Sequence, residues 1–406
     1  MTAAAFGPGR VNLIGEHTDY NDGLCLPFAI DLGVTVRARA ATDGLTRVHA
    51  VDIGSHDVFT TDAPVPVEGW RSFARGVVAE LTAAGYPIRP ARLSIIGTLP
   101  RGAGMSSSAA LEVALALALL AHSGHDEPDR AELARLLSRV ENVWVGARTG
   151  VLDQTASLFG RQGHALRLDV RALTAAAEEA PPKPSTGPGA RPGPELPVGP
   201  EAIAGSQDAA GREPRDRRAV PRPPGRWLAE AAGRPVPGIE PVRLDLGRWR
   251  LVTVDSGVRH AIAASGYNTR RDECARACEL LGIGSLRDAD DDAPDRLPEP
   301  LSRRVRHVRD ENDRVRRAVD ALRAGDCDEL GRLLDESHAS LRDLYEVSVP
   351  AVEATVASLR AAGAAGARLV GGGFGGSVLA LFPPGKRPPA QALRVAPSAA
   401  GRLVRR

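Results

Sequence analysis

A proline-rich stretch in the middle of the chain limits how its 406 residues can fold. Residues 175–226 hold 12 of the 32 prolines, and large apolar side chains are scarce among them. Because such a segment buries too little surface to offset the entropy lost on ordering, its composition predicts a disordered insert. The insert lies between strands predicted at 164–170 and 249–255, so the rest of the chain forms two halves.

Both halves combine helical and strand patterns, which predicts an α+β protein. In the first half, we predict strands at 24–40, 46–53, 91–97 and 164–170 and helices at 70–85, 106–121 and 129–147. In the second half, we predict a strand at 249–255, helices at 268–282, 301–324, 326–345 and 349–363, and a strand–glycine loop–strand at 367–382.

Charge and hydropathy exclude several function classes. The formal net charge is only +2, which gives no basis for binding nucleic acid or an anionic membrane. The most apolar run, 109–121, is too short to span a bilayer and contains Glu112. The N-terminal residues lack the apolar segment of a secretory signal. The four cysteines lack zinc-site spacing, so we predict free thiols and a cytoplasmic location.

The segment LPRGAGMSSSAALEVA, residues 99–114, places a glycine loop and three serines before an apolar helix. Gly102 and Gly104 allow the backbone to approach a ligand closely. Ser106, Ser107 and Ser108 are favoured at a helix N-terminus, whose unpaired N–H groups suit phosphate. An ordinary capped helix after a flexible turn explains the segment equally well. The spacing matches neither a P-loop nor a dinucleotide fingerprint, so a bound anion would adopt another geometry.

The segment GRVNLIGEHTDYNDG, residues 9–23, concentrates ionisable side chains near the N-terminus. They are Arg10, Glu16, His17, Asp19 and Asp22. A surface cluster of ion pairs adds little stability, so the cluster needs another explanation.

Both segments resemble motifs of one kinase family, the GHMP kinases, whose members include galactokinases, homoserine kinases, mevalonate kinases and phosphomevalonate kinases. Residues 9–23 are similar to the sugar-binding signature of galactokinases, and residues 99–114 resemble the ATP-phosphate loop of the wider family. The segment GGGFGGSVLAL, residues 371–381, resembles the C-terminal glycine motif of the family. Further similar segments are 148–160 and 254–274, and the resemblance covers roughly residues 9–170 and 240–382.

The resemblance implies a two-lobed fold and a galactokinase activity. We therefore expect a ribosomal-protein-S5-like α/β lobe at 1–172, a disordered insert rich in Pro, Ala, Gly and Arg at 173–238, and a ferredoxin-like α+β lobe at 239–406. The expected reaction transfers a phosphoryl group from ATP to the C1 hydroxyl of α-D-galactose and yields galactose 1-phosphate for galactose metabolism. The expected partners are galactose and ATP, bound in the cleft between the lobes of a monomer.

The resemblance also assigns sugar-binding residues. Glu16, His17 and Asp19 match residues that bind sugar hydroxyls, Gly150 matches a backbone contact, and Tyr267 matches a hydroxyl contact. A sugar presents several hydroxyls, and a site that leaves its polar groups unpaired with the wrong epimer discriminates against it. This requirement explains the charge of the N-terminal segment. Without the resemblance, Tyr267 is equally consistent with a half-buried aromatic whose hydroxyl faces water.

The reacting groups follow from the same resemblance. Asp153 matches the catalytic aspartate, a base for the C1 hydroxyl, and Arg10 matches an arginine near that hydroxyl and the transferred phosphate. Gly102, Ala103, Gly104, Met105, Ser106, Ser107 and Ser108 match the ATP-binding loop. Ser108 and Glu141 match the pair that holds Mg²⁺, which needs few protein oxygens. Gly371–Gly376 have a mainly architectural role. From the residues alone, the favoured interpretation of Asp153 is a cap for a helix through 154–159, and that of Glu141 is a solvated helix carboxylate.

Three alternatives to galactokinase activity remain open, and the sequence departs from the family pattern in two places. A related kinase for N-acetylgalactosamine, a non-catalytic galactose sensor and a poorly folding gene product are the alternatives. The sensors lack a Ser-Ala pair of the phosphate loop, whereas Ser106–Ser108 and Ala109–Ala110 are complete here. Thr149 replaces the cysteine usual in the family, and the short sequence after Leu381 predicts an exposed sheet edge or exposed apolar surface.

Overall fold

The computed structural model describes residues 2–100, 102–178, 235–258 and 264–404, in which thirteen strands form three sheets beside nine α-helices. The strands are β1 (Ala3–Asn12), β2 (Leu24–Cys25), β3 (Pro27–Ala40), β4 (Leu45–Ala50), β5 (Ser55–Thr60), β6 (Ala91–Gly97), β7 (His164–Asp169), β8 (Ile239–Arg243), β9 (Arg250–Asp255), β10 (Gly366–Val370), β11 (Ser377–Phe382), β12 (Leu393–Arg394) and β13 (Arg402–Leu403). The helices are α1 (Arg71–Ala83), α2 (Ser107–Ser123), α3 (Arg130–Arg139), α4 (Leu152–Phe159), α5 (Val170–Glu178), α6 (Ala264–Leu281), α7 (Leu301–Ala324), α8 (Cys327–Asp343) and α9 (Pro350–Ala361).

The first half is built on a six-stranded sheet in the order β13-β1-β3-β6-β4-β5, antiparallel except between β4 and β6. Helix α2 crosses the sheet and is apolar on nearly every side, so its leucines are buried, Leu115 and Leu119 completely. The helix packs so close to β1 that a Cβ atom on Gly7 would lie 2.1 Å from the carbonyl oxygen of Ala110. This close packing brings the start of α2 beside the polar residues that follow β1.

The second half contains a four-stranded sheet, β10-β11-β9-β12, and helices α6–α9. Its own apolar core includes Val252, Val305, Tyr345 and Val378, which are at most 2% exposed. A three-stranded sheet, β2-β7-β8, contains strands from both sides of the proline-rich stretch. The predicted α+β class is therefore confirmed.

The C-terminal residues return to the first half. Strand β13 pairs with β1 through Ala5↔Leu403 and Phe6↔Arg402, and the Val404 N–H donates to the Ala4 carbonyl over 2.8 Å. These contacts cover part of the β1 edge, so the predicted exposure of a sheet edge holds only in part. Because strand pairing satisfies backbone groups that water would otherwise solvate, even this short strand protects β1 from pairing with other chains.

Several predicted boundaries need correction. The predicted strand 24–40 is interrupted between β2 and β3, the strand predicted at 46–53 ends at Ala50, and the helix predicted at 129–147 changes to a π-helical turn at Val140–Val145. Strands β1, β5, β8, β12 and β13 and helix α5 are absent from the prediction. Residues 173–178 of the predicted disordered insert 173–238 belong to α5, so its predicted start is wrong, and residues 235–238 are described; the remainder, 179–234, lies outside the described residues. No helix in the described ranges is long and apolar enough to cross a membrane.

Candidate active site

One cavity of about 360 Å³ lies between the two halves, and all fifteen residues predicted for the site line it. They are Arg10, Glu16, His17, Asp19, Gly102, Ala103, Gly104, Met105, Ser106, Ser107, Ser108, Glu141, Gly150, Asp153 and Tyr267. Residues of the C-terminal glycine motif, Gly371–Gly373 and Phe374, complete the wall. The acidic N-terminal segment and the serine loop, 76 or more residues apart in sequence, therefore face one another.

An ion pair at the centre of the cavity joins Arg10 to Asp153. The Arg10 Nε lies 2.7 Å from Asp153 Oδ1, and Arg10 Nη1 donates to the Gly104 carbonyl over 2.5 Å. Burial alone would lower the pKa of Arg10, but Asp153, Glu16 and Asp19 together raise it, so the guanidinium remains charged. The second carboxylate oxygen of Asp153 accepts a hydrogen bond from the Ser106 hydroxyl. Asp153 lies in the first turn of α4, as its interpretation as a helix cap requires. Its carboxylate nevertheless contacts Arg10 and Ser106, so its role is not that of a cap.

Helix α2 begins directly at the serine loop. Ser106 precedes the helix with a left-handed backbone, φ 54°, and its side chain makes no capping hydrogen bond. The predicted serine cap is therefore wrong for Ser106, because its hydroxyl is directed to Asp153 instead. The first residues of the helix, Ser107 and Ser108, line the cavity, where the unpaired N–H groups of a helix start attract an anion.

A buried carboxylate stands beside the serine loop. Glu141 is 4% exposed and accepts a hydrogen bond from the Thr149 hydroxyl over 2.7 Å. Burial raises the pKa of Glu141, and Asp153 raises it further, while hydrogen bonds from Ser108, Thr149 and Gln154 oppose that shift. Its interpretation as a solvated helix carboxylate is wrong, because the π-helical turn directs the side chain inward. Ser108 and Glu141 together supply hard oxygen atoms of the kind Mg²⁺ binds.

The sequence does not reveal the buried layer behind Glu141. Gln154 donates to Glu112 over 2.9 Å, and both side chains are fully buried. Burial and the nearby Glu141 raise the pKa of Glu112 well above its usual range. Glu112 is the single charged residue within the apolar run 109–121, and this anomaly is the one signal that could have identified it.

Glu16 is held in place by the second half of the chain. Its Oε1 atom accepts the Gly371 N–H over 2.9 Å and lies 3.1 Å from Nη2 of Arg368, a completely buried arginine. Arg368 also donates to the carbonyls of Asn12 and Leu13. The glycine motif thus has the architectural role expected for it, since it anchors a residue predicted to bind sugar. Nothing in the sequence around Arg368 indicates this contact.

Asp19 and Gly150 fit together closely. A Cβ atom on Gly150 would lie 2.1 Å from Asp19 Oδ2, so only glycine leaves room for the carboxylate. Burial raises the pKa of Asp19 to about 7, with further contributions from Asp153 and Glu16, while Arg271 opposes the shift. Near neutral pH this carboxyl group therefore changes between a hydrogen-bond donor and an acceptor.

Aromatic rings form the wall beside His17. The His17 ring lies 5.3 Å from the Tyr267 ring and 4.7 Å from the Tyr345 ring, measured between centroids. Burial lowers the pKa of His17 to about 3, with Arg270 and His307 adding to that effect, so the imidazole is neutral. Tyr267 packs against the glycine motif, where a Cβ on Gly372 would be 2.9 Å from its ring. A neutral imidazole and phenol hydroxyl suit an uncharged ligand rich in hydroxyls.

Comparison with known proteins shows the same motifs in the same order. The model of the galactokinase galactose-binding signature matches residues 2–40, that of the GHMP kinase N-terminal domain matches 72–161, and that of the C-terminal domain matches 318–400. A galactokinase of Roseiflexus sp. (strain RS-1) is 38% identical over 385 residues, which are 92% of this chain and 82% of the relative. A galactokinase of Streptomyces coelicolor is 37% identical over 92% of this chain and 83% of its own.

Solved structures support the same relationship. The crystal structure of Lactococcus lactis galactokinase complexed with galactose matches with a TM-score of 0.76 and 26% identity, over 98% of this chain and 94% of that protein. The Methanococcus jannaschii mevalonate kinase matches with a TM-score of 0.59 at 14% identity, over 95% of this chain and 92% of its own, and shows the shared fold alone.

Proposed function

The chain belongs to the galactokinase family of GHMP kinases and is an ATP-dependent kinase, and we propose that its cavity transfers the γ-phosphoryl group of ATP to the C1 hydroxyl of α-D-galactose. The observation that carries this proposal is the Arg10–Asp153 pair, with 2.7 Å between Nε and Oδ1, placed between the acidic segment and the serine loop. Transfer of a phosphoryl group to an alcohol is favoured by a base that accepts the hydroxyl proton and by a cation that offsets the negative charge of the phosphoryl group.

Asp153 acts on the attacking hydroxyl. Arg10 and Ser106 each occupy one of its carboxylate oxygens and fix its orientation, and the remaining lone pairs can accept the C1 hydroxyl proton. The C1 oxygen forms a bond to the γ-phosphorus as the bond from that phosphorus to the β,γ-bridging oxygen breaks, and ADP leaves. Arg10 offsets negative charge on the moving phosphoryl group. Because Arg10 also donates a hydrogen bond to the Gly104 carbonyl, its guanidinium is already in position when ATP binds.

The sugar lies against Glu16, His17, Asp19, Gly150 and Tyr267, and the ATP phosphates against residues 102–108 at the start of α2. Ser108 and Glu141 are suited to hold Mg²⁺, which would neutralise phosphate charge when bound. The Thr149 hydroxyl orients Glu141 toward that position. We retain the monomeric state and the cytoplasmic location as predictions.

A coupled ADP-release assay with purified protein tests the proposal. We expect turnover with galactose that exceeds turnover with glucose, N-acetylgalactosamine and mevalonate. Replacing Asp153 by Ala should remove turnover, by about 10²–10⁴-fold for loss of a general base, while ATP still binds. Asp52→Ala, an exposed acidic residue outside the cavity, is the matched control and should keep full activity. Near-normal turnover by Asp153→Ala would refute the assigned role, and a preference for N-acetylgalactosamine would change the substrate.

A further inference from the structure

A line of four hydrogen-bonded side chains runs from the interior of the second half to the cavity wall. We call it the tyrosine chain: Cys274, Tyr345, Tyr20 and His17. Cys274 Sγ lies 3.1 Å from Tyr345 Oη, which lies 2.8 Å from Tyr20 Oη, which in turn lies 2.8 Å from His17 Nδ1. Cys274, Tyr345 and His17 are at most 4% exposed. His17 lines the cavity and the other three residues do not, so the tyrosine chain reaches the imidazole from outside the cavity lining.

Every member of the tyrosine chain is neutral near pH 7. Burial raises the pKa of the Cys274 thiol to about 11 and those of Tyr20 and Tyr345 well above their usual range. Burial also lowers the pKa of His17 to about 3. Each contact between neighbours contains one proton, and where each phenol O–H donates to a neighbour within the chain, the donors all point in the same direction along it. Two arrangements exist, and they place the imidazole proton on different ring nitrogens.

The contact at the Cys274 end of the chain favours one of the two arrangements. At one end, the Asn21 amide approaches Cys274 Sγ over 3.7 Å, which occupies the sulfur as an acceptor and leaves its S–H to donate to Tyr345. At the other end, the His17 Nε2 atom is buried and has no hydrogen-bond partner within the described part of the chain, so it is the ring nitrogen left for a ligand. The donors thus run from Cys274 through the tyrosines to Nδ1.

We propose that Cys274, Tyr345 and Tyr20 are positioning residues that hold His17 with its proton on Nε2, so that His17 donates a hydrogen bond to a sugar hydroxyl oxygen. The opposite tautomer would leave Nε2 as a bare acceptor and would require the hydroxyl to donate instead. This inference deepens the proposed function, because it rests on the assignment of His17 to the sugar.

Nitrogen NMR of the full-length, ligand-free protein labelled with ¹⁵N-histidine reads the tautomer directly. We expect the His17 Nδ1 signal at an unprotonated position and the Nε2 signal at a protonated position, unchanged between pH 6 and pH 8. The signal is identified by its loss in His17→Gln. In Tyr345→Phe, which keeps the ring but removes the hydroxyl, the two signals should move toward a mixture of tautomers.

Steady-state kinetics measures the consequence for the sugar. Tyr345→Phe and Cys274→Ala should raise the KM for galactose about 3–10-fold, the range for loss of one hydrogen bond, and leave the KM for ATP unchanged. Cys274→Ser keeps a donor at the same place and should restore both the tautomer and the KM. Cys278→Ser is the matched control, since Cys278 lies one helical turn further along α6 and outside the chain.

The outcomes separate this inference from the proposed function. A proton on Nδ1 in the unmodified protein overturns the inference, as does an unchanged tautomer in Tyr345→Phe or a failure of Cys274→Ser to restore it. If a variant does not fold, the spectrum of the unmodified protein still decides. A tautomer shift with an unchanged galactose KM supports the tyrosine chain and overturns the assignment of His17 to the sugar.

Discussion

Asp19 shows how one residue of the cavity opposes folding while serving the ligand. Its buried carboxyl group faces the carboxylates of Asp153 and Glu16, with Arg271 and Arg10 as the nearby cations. Since its pKa rises from 3.8 to about 7 on folding, the native state holds a proton that the unfolded chain has already released. The free energy of unfolding is therefore not reduced by Asp19 below about pH 4, where the carboxyl group is protonated in both states. It falls as pH rises from there through 7 and the buried group loses its proton. At pH 8 the empty cavity therefore contains an unfavourable buried charge.

Replacing Asp19 by Asn removes that charge and tests its role. We expect the variant to be more stable than the unmodified protein at pH 8, by roughly 1–2 kcal/mol, with a smaller difference at pH 5 and none below about pH 4. Its KM for galactose should rise at least about tenfold, because an ionised acceptor is lost. Thermal unfolding at both pH values and galactose kinetics measure the two effects. Asp22→Asn, which lies outside the cavity, should change neither the stability at pH 8 nor the galactose KM. Equal stability changes at pH 5 and pH 8 in Asp19→Asn would contradict the raised pKa of Asp19.

The contributing residues differ in how far their sequence context identifies them. Those in the two motifs, such as Glu16 and Ser108, could be placed because each belongs to a short segment with recognisable spacing. Arg368 could not, because its contacts with Asn12 and Leu13 join residues more than 350 positions apart. Tyr345 lies in a helical pattern in which an aromatic residue normally indicates core packing. Its role depends on the hydroxyl, which sequence periodicity does not describe.

At the scale of elements, helix α7 fixes the shape of the sugar-binding segment from the other half of the chain. Glu311 Oε1 accepts the Gly15 N–H over 2.9 Å and the Ser337 hydroxyl over 2.7 Å, while Oε2 lies 2.7 Å from Arg314 Nε. On the next residue, Asn312 accepts the Leu24 N–H over 2.6 Å. Gly15 and Leu24, which lie on either side of Glu16, His17 and Asp19 in sequence, are therefore attached to adjacent residues of one helix, which limits the movement of those three side chains.

Glu311→Gln tests this attachment. Burial would raise the pKa of Glu311, but Arg314, His307 and Arg368 together lower it to about 2, so the carboxylate is charged and paired under ordinary conditions. Its stabilisation is present above about pH 4.5 and lost as pH falls through 2. Leaving Arg314 without its carboxylate should cost about 3 kcal/mol and lower the Tm by several degrees at pH 7. The galactose KM should rise more than the ATP KM.

Asp313→Asn provides the comparison for that measurement, since it changes an exposed acid on the same helix. An unchanged Tm in Glu311→Gln, or equal changes in both KM values, would show that α7 does not position the segment.

Regular elements could be predicted where the pattern is strong. Helices α7 and α9 lie within two residues of their predicted limits, because long amphipathic repeats and terminal glycines define them. Strand β1 was obscured by its Ala, Gly and Pro residues, which are poor strand formers, and it is stabilised by pairing with β3 and β13 and by packing against α2. The π-helical turn at Val140–Val145 is equally invisible to a periodicity of 3.6 residues.

At the scale of the whole molecule, the two halves depend on each other. We retain the division at 1–172, 173–238 and 239–406 as a proposal, but the contacts cross it: β8 pairs with β7, and β13 pairs with β1. The cavity is likewise lined from both halves. Because these strand pairs join residues before and after the proline-rich stretch, the stretch can interrupt the sequence without separating the elements that build the site.

Replacing residues 180–230 by a Gly–Ser linker of about 12 residues tests whether the interruption contributes to function. All the residues that line the cavity lie outside this stretch, and β8 and the end of α5 are preserved. We therefore expect kcat, both KM values and the Tm to stay within about twofold or a few degrees of the unmodified protein. A matched deletion that extends through Arg243 removes β8, whose backbone pairs with β7 from Leu168↔Ile239 to His164↔Arg243, and should lower the Tm and the yield. If the linker variant keeps its Tm but loses galactose turnover, residues 180–230 act in the reaction, and the cavity described above is incomplete without them.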